Sequence, residues 1–459
     1  MIEEYLNMER KLNLLKARMV EQRKTKKNSF FSSMRNKIKY RKLNTDLSQN
    51  KIQLNNEYIL LKNQDALIST QGAKKMLMAA YDNHSDVVFC DSIINNKVHL
   101  KSAISVDLLL QGNEEYDVLL ISNELYNIIL EFIGNEGVIS NVEFMFASFL
   151  LTKDIYHLEE PLYKIKKIEK EKNRITDFYN HLIYRDRTEN PKISIVIPTK
   201  DKVDLLNNCL DSILNKTIYN NYEILIINNR SEETQSFKYF NDIKENCKIK
   251  VIDADIDFNW SKLNNIGISN SDADIFVFLN NDTLVIDGEW LDYIIEDCTR
   301  NDVGVVGGLL LYEDGTIQHA GVVVGLIDFA DHLYKGEKPD TKECAFYSPL
   351  VKRNVLAVTG ACMSISKKAI EKIGLFDEEF IICGSDVEMC IRSYEHHLNN
   401  IYDPRIKLYH LESKSRDSYI PPIDFEMSQI HYEPYRSKGD PFYNKNLDKK
   451  SVVPKLKGE

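Results

Sequence analysis

The chain has 459 residues, 43% hydrophobic and 28% charged, a composition that excludes a disordered, collagen-like or disulfide-stapled protein. At roughly 100–200 residues per domain, this length predicts two or three domains. The formal net charge is −10, which argues against a general nucleic-acid binder. Residues 1–50 nevertheless carry thirteen basic and five acidic side chains, a local +8.

That basic arm comes first in the chain. Residues 2–24 predict a helix, because Tyr5, Met8, Leu12, Leu15 and Met19 recur at spacings of three and four. A seam of little more than two heptads favours packing on its own domain over a coiled-coil homo-oligomer. Lys24–Lys42 follows, with Phe30-Phe31 set among Lys24, Lys26, Lys27, Arg35, Lys37, Lys39, Arg41 and Lys42. Basic residues around an aromatic pair suit an anionic membrane surface. A solvated linker is the competing reading. The eight cysteines form no CxxC pair, which argues against a common zinc or thioredoxin-type motif and fits a reducing cytosol. No apolar stretch reaches the roughly 20 residues that span a bilayer. The N-terminus lacks a signal peptide's apolar core. The expected place is cytoplasmic, or peripheral on the inner face of the plasma membrane.

Composition changes near residue 190. Only Pro161 of the 11 prolines, and four of the 18 glycines, precede it. The charged stretch Glu169–Asn190 reads as a helical connector. Beyond it, Ile193–Pro198, Tyr222–Ile227, Lys248–Ile252 and Ile275–Leu279 read as buried strands, with helical patterns after the first and before the fourth. Strand alternating with helix predicts an α/β domain with a mainly parallel sheet. Ligands of such sheets sit beyond the carboxyl ends of the strands. Pro198–Asp201, Asn228–Ser231 and Asn280–Asp282 all fall there. No GxGxxG follows the first strand, and neither GxxxxGK[ST] nor GxSxG occurs. A phosphate-bearing ligand would then need a metal, and Asp282 at a strand end is a natural oxygen ligand.

These segments resemble the family 2 glycosyltransferases of the GT-A fold, the nucleotide-diphospho-sugar transferases. The resemblance rests on Ile193–Pro198, Asn228–Ser231, Phe258–Asn265, Leu279–Asp282, Asp314–Gly321, Ala357–Cys362, Ser385–Arg392, Leu408–Arg416 and Gly439–Asn446, in the family's order. The nearest branch assembles bacterial O-antigen, capsule and rhamnose-containing polysaccharides. The resemblance implies Asp386 as the catalytic base. The family's Asp-x-Asp motif reads Asn280-Asn281-Asp282 here, which carries a divalent cation, Mn²⁺ or Mg²⁺, to Asp282, with His410 completing the site. Donor contacts carry over to Thr199, Asn228, Asn229, Asn265 and Asn281. Ser413 and Arg416 fall in a loop that closes over the diphosphate. His319, Thr359 and Gly360 fall where an acceptor would lie, though a structural role for His319 is the stronger reading. Base-binding acids of other branches are Asn228 and Asn229 here.

A second, weaker copy precedes this one. Glu57–Asp65 lines up with Asp274–Asp282, Ser140–Ser148 with Ser385–Ser393, and Leu162-Tyr163 with Leu408-Tyr409. In that alignment Asp386 becomes Asn141, His410 becomes Lys164 and Arg392 becomes Ala147. The first three strands have no counterpart.

The expectation is therefore an N-terminal basic arm (1–50), a degenerate non-catalytic GT-A-like domain (51–168), a connector (169–190), a catalytic GT-A domain (191–420) and a tail (421–459). The expected activity is inverting, metal-dependent sugar transfer from a nucleotide-sugar donor to a glycan or lipid-linked glycan acceptor of the cell surface. The alternative is a glycan-binding or assembly subunit whose active site has lapsed.

Overall fold

A computed structural model describes residues 2–26, 49–111, 116–133, 139–166, 175–184, 189–341, 345–411 and 420–458. The basic run beyond Lys26, with Phe30 and Phe31, lies outside these residues, as do Ser413 and Arg416. The chain divides into two compact units. One comprises Met1–Arg185 with Asn444–Asn446, the other Asp186–Tyr443 with Leu447–Glu459.

The first unit begins with helix α1 (Ile2–Lys26). Its strands are β1 (Lys51–Gln53), β2 (Tyr58–Lys62), β3 (Leu67–Ile68), β4 (Val87–Ile94), β5 (Lys97–His99), β6 (Val118–Ser122) and β7 (Ile155–Ile165). Helices α2 (Thr70–Asn83), α3 (Val106–Leu110), α4 (Asn123–Ile133), α5 (Asn141–Leu151) and α6 (Ile175–Tyr184) complete it. The sheet runs β1-β2-β6-β4-β7-β3, with β5 on β4. Of the α1 seam, Leu12, Leu15 and Met19 are buried in one core with residues of α4, α5 and α6. The N-terminal helix is thus packed on its own unit. Each of those side chains contributes roughly 1.5–3 kcal/mol by leaving water.

The second unit opens with β8 (Ile193–Thr199), α7 (Val203–Lys216), β9 (Tyr222–Asn228), α8 (Thr234–Ile243), β10 (Ile249–Asp253), α9 (Trp260–Ser269) and β11 (Ile275–Leu279). Then come β12 (Thr283–Val285), α10 (Trp290–Cys298), β13 (Val303–Leu311), β14 (Ile317–His319), β15 (Val322–Val324), β16 (Ala330–His332) and β17 (Arg353–Asn354). Last are β18 (Cys362–Ser366), α11 (Lys367–Ile373), α12 (Ser385–Glu395), β19 (Asn399–His410) and α13 (Pro422–Lys438). The sheet order is β10-β9-β8-β11-β18-β13-β19-β12. The β10, β9, β8 and β11 pairings are parallel, as helix crossovers require. Beyond β11 the sheet is mixed: β18 is antiparallel to β11 and β13, while β19 is parallel to β13. Helix α9 lies close on β8 because residue 267 is glycine; a Cβ there would stand 2.3 Å from Cγ1 of Val196.

The two sheets share a five-strand order. β2-β6-β4-β7-β3 corresponds to β11-β18-β13-β19-β12, with the same relative directions. Registers agree as well. Tyr58 faces Ser122 as Ile275 faces Ser366, and Val87 faces Ile121 as Val305 faces Ile365. Ser92 faces His99 as Leu310 faces His319. Leu67 faces Lys164 as Leu284 faces Tyr409. This last pair corrects the sequence alignment by one residue. The counterpart of His410 is Ile165, and Lys164 matches Tyr409. The register that sets Ser140 opposite Ser385 already sets Ile165 opposite His410; matching the dipeptide Leu162-Tyr163 to Leu408-Tyr409 shifts the pairing by one. Among the described residues of the first unit, no strands correspond to β8, β9 and β10.

Candidate active site

The parallel strands end in polar residues, and the backbone register sets these side by side. Thr199, last in β8, pairs with Asn228, last in β9, and Asn228 pairs with Asp253, last in β10. Asn281 joins the row from the other side, its Nδ2 donating to Thr199 Oγ1 at 2.9 Å. The side chains of this row differ in what they hold. Asn228 donates to Asp253 Oδ1 (2.8 Å) and accepts from the Ser231 N–H (3.1 Å). Asn229 donates to the carbonyls of Ala254 and Ile256, bracing the loop after β10.

One strand further along stands the pair expected to carry the cation. Asp282 and His410 are both nearly buried, with Asp282 Oδ1 3.3 Å from His410 Nε2. The antiparallel β12–β19 ladder fixes the pair, with Thr283 opposite His410 and the Leu411 N–H donating to the Asp282 carbonyl. Asn280 Nδ2 also lies 3.2 Å from Nε2, and Nδ1 of His410 makes no hydrogen bond. One carboxylate and one imidazole are a donor set that suits a divalent ion. Among the described residues no group of three or more His, Cys, Asp or Glu side chains gathers. A cation here would complete its shell with the donor's phosphate oxygens, the usual habit of Mg²⁺ at phosphate sites.

The expected base reaches the same edge by another route. Asp386 is the second residue of α12, which starts after Gly384 in a left-handed turn (φ 99°). The Gly360 N–H donates to its Oδ2 at 2.8 Å and the Val387 N–H to its Oδ1 at 2.9 Å. The adjoining Ala361 carbonyl accepts from the Asn280 N–H at 3.1 Å. The stretch Gly360-Ala361 therefore braces the Asp386 carboxylate on one side and the Asn280–Asp282 turn on the other. Thr359, half-buried, begins that stretch. Residue 360 must be small: a Cβ there would lie 2.7 Å from Cζ2 of Trp260.

Two expected residues are held elsewhere. His319 is fully buried, so it lines no acceptor cleft. Its Nδ1 lies 3.2 Å from Nδ1 of His332 and its Nε2 accepts from the Gly321 N–H. Burial, reinforced by His332, Arg353 and His410, holds its pKa well below the usual imidazole range, so it is neutral. Its counterpart in the first unit is His99, kept where the base is not, which marks the position as part of the fold. Asn265 spends its amide on the 376–378 loop, donating to the Phe376 carbonyl and Glu378 Oε1 and accepting from the Phe376 N–H.

Four residues near the base escaped the sequence reading. Trp260 packs over Gly360 and edge-on to Phe376. Asp424 of α13, buried, accepts from the N–H groups of Ile381, Ile382 and Cys383 at 2.7, 2.8 and 3.0 Å. Tyr432 of the same helix donates to the Gly384 carbonyl. Both hold the turn that launches α12. His332 feels Asp386: burial lowers its pKa first, and the carboxylates of Asp331 and Asp386 push it back up. Only Trp260 carried a signal, as the aromatic of Phe258–Asn265. The others act across long sequence separations.

Residues 194–374 match the profile of Glycosyl transferase family 2. The O-antigen biosynthesis protein RfbC of Myxococcus xanthus is 38% identical over 259 residues, which is 56% of this chain and 20% of that protein. The O-antigen chain rhamnosyltransferase RfbN of Salmonella typhimurium is 32% identical over 105 residues, covering 23% of this chain and 32% of its own length. The chain thus aligns with a third or less of each of these relatives. Among solved structures, the mannosyltransferase PcManGT from Pyrobaculum calidifontis, in complex with GDP-Man and Mn²⁺, matches 54% of this chain and 70% of its own, at 12% identity and a TM-score of 0.37.

Proposed function

Because residues 194–374 match the profile of Glycosyl transferase family 2, we propose that the second unit moves a sugar from a nucleotide-diphosphate donor to a hydroxyl of a growing bacterial surface glycan, with inversion. The observation that carries this reading is the double brace at Gly360-Ala361, which ties a carboxylate at a helix start to the Asp282–His410 pair. The surface-glycan acceptor is proposed by analogy with the O-antigen proteins it resembles.

Asp386 takes the proton from the acceptor hydroxyl as that oxygen bonds to the anomeric carbon and the bond to the diphosphate breaks. Two backbone N–H groups fix the carboxylate's direction, so little reorganisation is needed when the proton moves. No second carboxylate nucleophile is required, because a single displacement inverts the centre. Asp282 and His410 would hold a divalent cation, which when bound neutralises charge building on the departing diphosphate. Thr199 and Asn281 orient the nucleoside end, and Thr359 and Gly360 border the acceptor side. Ser413 and Arg416, expected at the diphosphate, lie outside the described residues.

The first unit, in this reading, is a relative without chemistry. Asn141 stands for Asp386 and donates to the Asp117 carbonyl. Ile165 stands for His410. Tyr116, buried against Phe89, stands for Gly360 two residues before the strand. A large side chain thus stands at the position where the second unit has none. The basic run after α1 is carried as an anionic-membrane contact, tested by vesicle co-sedimentation with its lysines changed to glutamine.

Three measurements test the whole. Asp386→Asn should lower turnover by roughly 10²–10⁴ with donor binding nearly unchanged; near-normal turnover overturns the base. Asp282→Ala should abolish Mn²⁺-dependent donor binding. Calorimetry on the full chain should find one donor site; a second saturable site overturns the reading of the first unit.

A further inference from the structure

Resting on the transfer reaction and the base assigned above, we infer that His332 binds the acceptor sugar. Its Nε2–H, fixed in direction by His319 behind it, donates to a hydroxyl oxygen next to the hydroxyl that Asp386 deprotonates.

Backbone pairing brings His332 to the base. It lies opposite Val322 in the β15–β16 ladder. Val322 in turn bridges Ala357, its N–H donating to the Ala357 carbonyl at 2.9 Å. Further along the same stretch, Gly360 braces the Asp386 carboxylate. His332 and Asp386 are each half-exposed. Burial is nonetheless the largest influence on the His332 ring and lowers its pKa, while the Asp386 carboxylate acts on it in the opposite sense. A group that solvent reaches and that is still densely surrounded stands in a recess, and Asp386 borders this one. Asp331 and Lys335, the other charged groups that act on the ring, oppose each other and pair at 3.7 Å. The first unit has His99 in the place of His319 but, among its described residues, no strands corresponding to β15 and β16. The imidazole that faces the base is thus missing from the unit that lacks the base.

His319 sets the position of the ring's proton. It is fully buried and neutral, so it carries a single N–H. Its Nε2 accepts from the Gly321 N–H at 3.3 Å, which places its own proton on Nδ1. That Nδ1 lies 3.2 Å from Nδ1 of His332 and donates to it. His332 Nδ1 is then an acceptor, and the neutral ring keeps its proton on Nε2. The Gln318 carbonyl also lies 3.1 Å from His332 Nδ1. Only a doubly protonated ring would satisfy it, and its Nδ1–H would then oppose that of His319. With Nδ1 turned inward, Nε2 is the nitrogen on the open side of the half-exposed ring. The recess therefore offers one acceptor, the Asp386 carboxylate, and one fixed donor, the His332 Nε2–H. Adjacent hydroxyls of a sugar match both: one gives its proton to the carboxylate, and the oxygen of the other receives the imidazole N–H.

Two measurements on the full chain test this. Long-range proton–nitrogen correlation on histidine-labelled protein, with His332→Gln to assign the signal, should show His332 neutral at neutral pH with its proton on Nε2. A proton on Nδ1, or a charged ring, overturns the inference. The second is steady-state transfer with Mn²⁺, UDP-, dTDP- and GDP-sugar donors, and methyl glycosides of rhamnose, mannose, glucose and galactose as probe acceptors. His332→Phe should raise the glycoside KM roughly 3–10-fold, the usual worth of one neutral hydrogen bond. It should lower transfer by more than it lowers hydrolysis of the donor by water. His332→Gln keeps an N–H near the Nε2 position and should recover most of the KM. Both variants deprive His319 of its partner, so the difference between them isolates the Nε2–H. An unchanged KM in His332→Phe, or a loss that His332→Gln does not relieve, overturns the inference. Donor hydrolysis without transfer to any glycoside overturns it while the donor site stands. Release of nucleotide from none of the donors overturns the proposed function, and this inference with it.

Discussion

Gly360→Ala tests how the site is held together. The new Cβ would lie 2.7 and 2.8 Å from Cζ2 and Cη2 of Trp260 and 3.3 Å from Cβ of Asp386. Carbon atoms pack comfortably from about 3.5 Å, so roughly 0.7 Å of movement must come from one side or the other. Trp260 is poorly placed to give it. Its ring stands edge-on to Phe376 with centroids 5.0 Å apart, and its backbone N–H donates to the Ile381 carbonyl at 2.7 Å. The displacement falls instead on the 359–361 stretch, which aims the Asp386 carboxylate through the Gly360 N–H. Overpacking of this size costs about 1–3 kcal/mol. At about 2–4 °C per kcal/mol for a unit of this size, Tm should drop by roughly 2–12 °C. A base misplaced by about an ångström should lower turnover by around a hundredfold. Nucleoside diphosphate binding with Mn²⁺ should stay within about twofold, because the polar strand ends are untouched. The assays are steady-state transfer, calorimetry and thermal denaturation on one preparation. Wild-type turnover and Tm in Gly360→Ala would refute the reasoning. A turnover loss matched by lost donor binding would also refute it, since the fault would then lie in the donor half.

Single residues carry the other predictions. Burial pushes the Asp440 carboxyl from 3.8 up to about 7. Between those values the folded chain holds a proton that the unfolded chain has released. The stability contributed is complete below about pH 4 and is lost as pH rises toward 7, by up to roughly 4 kcal/mol. Asp440→Asn should flatten that part of a Tm-against-pH curve, and an unchanged slope counts against it. Asp424→Ala strands the three N–H groups ahead of α12; it should cost about 3 kcal/mol in a denaturant titration and lower turnover more than donor binding. Leu15→Ala opens the core that α1 shares with α4, α5 and α6. It should cost about 2–5 kcal/mol, whereas exposed Leu14→Ala should cost less than about 0.5 kcal/mol.

What the sequence made legible was what short-range pattern controls. Ile193–Ile197 and Ile275–Leu279 are buried along their lengths, as continuous β-branched and aromatic runs between turns require. The helix start at Ser385-Asp386 was legible because it opens a dense local motif, and the structure begins a helix there. His319 could not be placed, since its burial depends on β13, β16 and the Arg353 side chain, all distant in sequence. The hydrogen bonds of Asn265 were illegible for a similar reason: its partners Phe376 and Glu378 lie more than a hundred residues away. The one-residue error at His410 comes from a chance likeness, the Leu-Tyr dipeptide at 162–163 and 408–409, which the strand register overrides.

The internal repeat separates what serves folding from what serves chemistry. Arg392 stands opposite Ala147 and so invites a catalytic reading. Its guanidinium instead clasps both oxygens of Glu388, one turn back on α12, and donates to the Ile373 carbonyl at the end of α11. Its loss in the first unit therefore records a different helix packing. The equivalent glutamate survives there, and Glu143 is used to cap α5 through Ser140. A position can thus persist with a new partner, or vanish, without bearing on catalysis. Asp386, His410 and Gly360 differ from Arg392 in this respect. Each is replaced in the first unit by a group that could not do the work proposed for it: an amide, an alkyl chain and a phenol. All three meet at one strand edge in the second unit. A copy freed from the reaction but still obliged to fold would lose three neighbouring functions together and keep its sheet order and register. On that argument, restoring only Asp at 141 would leave Tyr116 and Ile165 in the cradle. Asn141→Asp should therefore give no gain of transfer and no second donor site, and a measurable gain of either would show that the first unit had kept more of its chemistry than these residues allow.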